Sequence, residues 1–275
     1  MTANNKLDAS DVEKVIAEAN AKINEYSKNM GIIGDQVFRL LEKNCRVLYY
    51  PLEEDDVWGF IERINGQLFA CINTSIQYEK QIFAAAHELY HIWYDEENVQ
   101  EVVLSSNLEE TKTDNIDSWE LMANRFAAEF LAETALLKQE MKQNGISREK
   151  ITIREVLLLS DIFTIPYETM VRRLHEIGAI RDSTFAELFS ASEREIEKQK
   201  TILGIKAPVK QGYIVLDNLI KKSVELYERN LITYEKLEYL LGFANKVPED
   251  VGVSKPVNTP VTDDEIAEIL GGEDD

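Results

Sequence analysis

His87-Glu88-Leu89-Tyr90-His91 restricts what this chain can become more than any other segment, because it sets two of only 3 histidines four residues apart. On an α-helix, at roughly 100° per residue, the two imidazoles stand only ~40° apart around the axis and reach one ion from one face. Glu88 lies beside them. That set offers two neutral nitrogen ligands for Zn²⁺ and a carboxylate able to take a proton from a metal-bound water. The flanking residues predict the helix this chemistry needs. Tyr78 to Ala86 are strong helix formers with no breaker, and Ile92-Trp93-Tyr94 continue the run before Asp95-Glu96-Glu97. Ala84, Ala85 and Ala86 leave room for close packing.

An open catalytic zinc site takes three protein ligands and leaves a position for water, so a third ligand is required. Glu120 is the best candidate. It opens a segment running to Leu131 in which Met122, Phe126 and Phe130 recur at helical spacing. Asn124 shares its face and is placed to hydrogen-bond a ligand histidine. Asp95 and His175 compete for the third position. Asp95, a turn beyond His91, reads better as a cap or neutraliser of the helix end, and His175 as a partly buried structural histidine. Tyr94, on the face of the histidine pair, and His175 are also candidate donors to an oxyanion.

Asn73, Phe83, Ala86 and His87-Glu88-Leu89-Tyr90-His91, followed by Glu120-x-x-Ala123-Asn124-x-Phe126-Ala127-Ala128, resemble the ImmA/IrrE metallopeptidases over roughly residues 36 to 180. The second element makes the likeness specific, since many unrelated peptidases share the first. The resemblance implies an α+β, zincin-like domain holding one Zn²⁺, with Mn²⁺ as the alternative ion. His87, His91 and Glu120 would be its ligands and Glu88 the catalytic base. It also implies a cytoplasmic peptidase whose substrate is a helix-turn-helix repressor or antitoxin, so that cleavage relieves repression. One departure stands out: Tyr90 occupies a position where many relatives carry Gly. A ring there is expected to reshape the floor beneath the metal and, with it, specificity. Nothing transfers beyond residue 181.

Upstream, Arg46–Tyr50, Val57–Ile64 and Gln67–Asn73 read as strands. The last two flank Asn65-Gly66, a type I′ hairpin signal. They predict a small antiparallel-containing sheet packed on the active-site helix, with an edge strand able to pair with an extended peptide.

A formal net charge of −20 argues against direct nucleic-acid binding, which needs a basic surface. Acidity would steer the chain towards a basic partner such as a repressor, or serve solubility alone. No run suits a membrane span, the first residues lack the features of a signal peptide, and Cys45 and Cys71 read as reduced core thiols.

The chain divides on this reading into an N-terminal amphipathic helix within 1–34, a peptidase core over 35–135, a helical subdomain over 136–180, a helical region over 181–245 and a Pro-containing linker with an acidic tail over 246–275. Ser10 to Glu13 form a capping box for a helix over 11–29, and a second helix covers 35–43. Arg154–Phe163 and Pro166–Ile177 form a pair joined at Thr164-Ile165, which reads as packing rather than DNA recognition. Further helices fall near 192–203, 214–229 and 233–243. A short terminal helix follows Thr262, and it docks on a partner, plugs its own peptidase domain or stays solvated. Three functions remain open: a zinc endopeptidase acting on a regulatory protein, a metal-dependent sensor or toxin-antitoxin component that regulates by binding, and a catalytically silent interaction scaffold.

Overall fold

The computed structural model describes residues 7–26, 31–54, 56–99, 118–148, 150–205, 215–216, 219–244 and 246–255. Among them the chain runs through α1 (Ala9–Tyr26), α2 (Gln36–Asn44), β1 (Arg46–Tyr50), β2 (Gly59–Ile64), β3 (Gln67–Asn73) and α3 (Tyr78–Tyr94). A 3₁₀ turn at Glu96–Asn98 precedes α4 (Ser118–Leu131), α5 (Thr134–Gln143), α6 (Ile153–Phe163), α7 (Tyr167–Glu176), α8 (Asp182–Phe189), α9 (Glu193–Leu203) and β4 (Val215–Leu216). These lie in one compact unit, Met1–Asp217. A second unit, Asn218–Asp275, contains α10 (Leu219–Glu228) packed on α11 (Tyr234–Gly242), and a 3₁₀ turn at Pro248–Val251. None of the described helices is long and apolar enough to cross a membrane.

The α+β expectation holds: a small mixed sheet of order β2-β3-β1-β4 sits among helices. Asn65 (φ 49) and Gly66 (φ 74) both take the left-handed region, closing β2 onto β3 with Ile64 opposite Gln67. That is the primed turn whose twist matches the strands. β1 joins β3 in parallel, so β2 lies at one edge and β4 at the other.

α3 packs against β2 and β3 on one side and against α2 and α4 on others. Ile82, Ala85, Ala86 and Leu89 are wholly enclosed, which explains a helix far more apolar than a surface one. The α3–α4 seam is aromatic. Trp93 meets Phe126 at 6.0 Å and Phe130 at 5.8 Å between ring centroids, and Phe126 stacks on Phe130 at 5.3 Å. Phe126 and Phe130, both fully enclosed, contribute roughly 1.5–3 kcal/mol each, so this seam fixes how α4 meets α3.

Three local expectations change. α1 starts at Ala9, two residues before the start expected from the Ser10 capping box, because Asp8 Oδ1, at 2.8 Å, takes the Asp11 N–H instead. The helix expected from 214 begins only at Leu219, since Val215 and Leu216 pair antiparallel with Tyr49 and Leu48 and satisfy the open edge of β1. α8 was not anticipated. The terminal helix after Thr262 lies outside the described residues.

Candidate metal centre

α3 presents His87 and His91 one turn apart, and the aromatic seam sets α4 so that Glu120, in its first turn, faces them. His87 Nε2 lies 3.2 Å from His91 Nε2. Glu120 reaches both rings, Oε2 at 3.1 Å from His87 Nε2 and Oε1 at 3.5 Å from His91 Nε2. These residues offer one ligand atom each, all within 4.8 Å of one another, in the one metal-competent cluster found among the described residues. A tetrahedral ion with bonds of ~2.1 Å has ligand–ligand edges of about 3.4 Å, close to the spacings found here. Two imidazoles and a carboxylate also form a donor set suited to an open catalytic site, so the residues fit a divalent ion. The Glu120 side chain is 43% exposed against 7% for His91, so the cluster opens to solvent on the α4 side.

Each histidine is gripped at its other nitrogen. His87 Nδ1 meets Asn124 Oδ1 at 3.1 Å, and His91 Nδ1 meets Asp95 Oδ2 at 3.1 Å. Both acceptors favour the Nδ1–H tautomer and leave the Nε2 lone pairs facing Glu120. Asn124 was anticipated from its spacing to Glu120. The Asp95 contact was not: Asp95 was expected only to cap or neutralise the helix end. α3 does end at Tyr94 with Asp95 as its cap, and Asp95 at φ −141, ψ 23 also turns its carboxylate back towards the ring.

Electrostatics follow from enclosure. Burial depresses the affinity of both imidazoles for a proton. At His87 the hydrogen bond with Glu120 and the charges of Glu88 and Glu120 outweigh it, so the pKa ends above the ordinary value. At His91 burial and the neighbouring His87 prevail and the pKa ends below it. The His87 hydrogen bond lowers Glu120. Glu88 is 4% exposed, and burial pushes its carboxyl up to about 7, with His87 opposing the rise and Glu120 adding to it. A dication at the cluster would draw Glu88 back down.

Tyr94 and His175 do not join this group. The Tyr94 hydroxyl donates to the Glu18 main-chain oxygen at 3.1 Å, and its ring packs on Tyr90 and Phe126. His175 pairs with Asp182 at 2.7 Å and lies on Phe185. Each polar group is engaged elsewhere in this structure. Tyr90 is 1% exposed, with its ring 5.4 Å from Phe126 and its hydroxyl on Met122 Sδ at 3.5 Å. Its bulk fills the seam behind the histidines.

Paired histidines on a central helix, a carboxylate from the next helix and a small mixed sheet beside them define a zincin-like metallopeptidase domain. Residues 41–199 match the Peptidase_M78 family model, described as the IrrE N-terminal-like domain, and the chain belongs to that family. The match runs past residue 180, through α8 and most of α9. No curated protein and no solved structure matches the chain.

Proposed function

We propose that this protein is a zinc-dependent endopeptidase that cleaves a regulatory protein, of the helix-turn-helix repressor or antitoxin type, in the cytoplasm. The observation that carries the proposal is the convergence of His87, His91 and Glu120 with the enclosed Glu88 carboxylate next to them in sequence. Manganese is the alternative ion. When bound, a divalent cation there acidifies a water and polarises a scissile carbonyl. Glu88 accepts the water's proton on a carboxylate oxygen and delivers it to the leaving amine nitrogen. Enclosure keeps that carboxylate basic enough for the task. Asn124 and Asp95 hold the histidine rings so that no reorganisation is needed during turnover.

β2 supplies a rail for substrate. It pairs with β3 on one side and has no strand partner on the other among the described residues, so its main chain offers hydrogen bonds to an extended peptide. The net charge of −20 supports a basic substrate, since DNA-binding proteins carry the opposite sign. The test is to incubate wild-type and Glu88→Gln protein with a co-encoded repressor, with and without chelator. Cleavage is expected from wild type alone, lost with chelator, while Glu88→Gln still binds metal. Metal binding with no cleavage in any condition would replace this reading by regulation through binding.

A further inference from the structure

The geometry points to Asp95 as a positioning residue for His91: it fixes the ring through Nδ1, and its negative charge sets how tightly the cluster holds a divalent cation. The inference rests on the metallopeptidase reading and adds a determinant of metal affinity from outside the ligand set.

Asp95 is held as firmly as the ring it holds. Its side chain is 10% exposed, with Oδ2 at 3.1 Å from His91 Nδ1. Oδ1 accepts a hydrogen bond from Asn98 Nδ2 at 2.5 Å. Its own N–H donates to the His91 carbonyl at 3.1 Å, and its carbonyl accepts from the Asn98 N–H at 3.0 Å. The 3₁₀ turn that follows is clamped to the edge strand, because Arg63 Nη2 donates to Glu96 Oε1 at 2.9 Å and to the Glu96 carbonyl at 3.3 Å. A helix cap needs only the main-chain part of this arrangement. Both carboxylate oxygens being committed, one of them to a histidine that faces the cluster, is what a ring orienter needs.

The two histidines are supported unequally. His87 leans on the neutral amide of Asn124, whereas His91 leans on the half-buried carboxylate beside it. A charged partner raises the basicity of the ring nitrogen that faces the ion and offsets part of the ion's charge. The carboxylate thus supports His91 more strongly than the amide supports His87, and exchanging charge between the two supports gives opposite effects.

The experiment measures Zn²⁺ affinity by competition with a chromogenic chelator, and the visible absorption of the Co²⁺ form, in wild type, Asp95→Ala, Asp95→Asn and Asn124→Asp. Asp95→Ala is expected to lose about 10- to 100-fold in affinity and to shift the Co²⁺ bands. Asp95→Asn keeps an accepting oxygen and should lose less, and it serves where the alanine variant fails to fold. Asn124→Asp is expected to bind more tightly than wild type. Wild-type affinity in folded Asp95→Ala and Asp95→Asn protein, with only thermal stability reduced, would leave Asp95 a helix cap and overturn this inference alone. No Zn²⁺ binding by wild type would overturn the metallopeptidase reading and this inference with it.

Discussion

The fully buried guanidinium of Arg173 lies 3.0 Å from the Glu129 carboxylate, tying α7 to the far end of the helix that carries Glu120. Arg173 also donates to the Ala132 carbonyl at 2.9 Å and pairs with Glu176 at 2.7 Å. Glu129 in turn accepts from the N–H and hydroxyl of Thr134, at 2.9 and 2.8 Å. Removing Arg173 leaves the enclosed Glu129 carboxylate with only the Arg125 guanidinium, 3.3 Å away, as a charged partner. Arg173→Met is expected to destabilise the peptidase unit by about 3–5 kcal/mol in urea unfolding, and adding Glu129→Leu to recover part of that loss.

Tyr90 gives a second prediction. Because its ring is enclosed, Tyr90→Ala should destabilise by about 3–5 kcal/mol, the range for deleting a buried aromatic. Tyr90→Phe loses only the contact with Met122 Sδ and should shift stability by less than about 1 kcal/mol. Thermal unfolding of both variants checks the contrast.

What the sequence revealed, and what it hid, divides by range. The histidine pair, Glu120 with Asn124 and the Asn65-Gly66 turn were legible because each rests on spacing within one element. The parallel pairing of β1 with β3 was not, since nothing local in Arg46–Tyr50 records which strand lies beside it. Asp95 was legible as the helix end, but its hold on the His91 ring depends on the backbone angles at that cap, which residue type leaves open. Tyr94 shows the same limit: helical spacing put it on the histidine face, but only the fold shows that its hydroxyl donates to the Glu18 carbonyl of α1. The same holds for β4, whose two residues become strand only because β1 has an open edge.

Gly59, the first residue of β2, lies against Ala84 of α3. A Cβ there would stand 3.0 Å from the Cys71 carbonyl oxygen and 3.3 Å from Ala84 Cβ, both on rigid elements. Gly59→Ala should therefore push the edge strand off the helix and lower stability by about 1–3 kcal/mol in denaturant unfolding.

Glu79, in the first turn of α3, has a pKa raised by burial, against the opposing charges of Lys200 and Lys80. A carboxyl raised in the folded state contributes its stability below the unfolded value of 4.5, and that contribution is lost as pH rises through the folded value. Glu79→Gln keeps the neutral form at every pH. Its melting temperature should exceed wild type at pH 7, with the gap closing as pH falls towards 4.5. A gap that widens on acidification would contradict the assignment of burial as the dominant cause.

Glu120 belongs to a different helix from the two histidines it faces, and this makes the proposed ion a staple as well as a reagent. Bound across α3 and α4, it would close the loop between them and add its binding energy to folding. Chelation should then soften the α3–α4 pairing itself, so the protein's resistance to heat would rise and fall with the supply of metal around it.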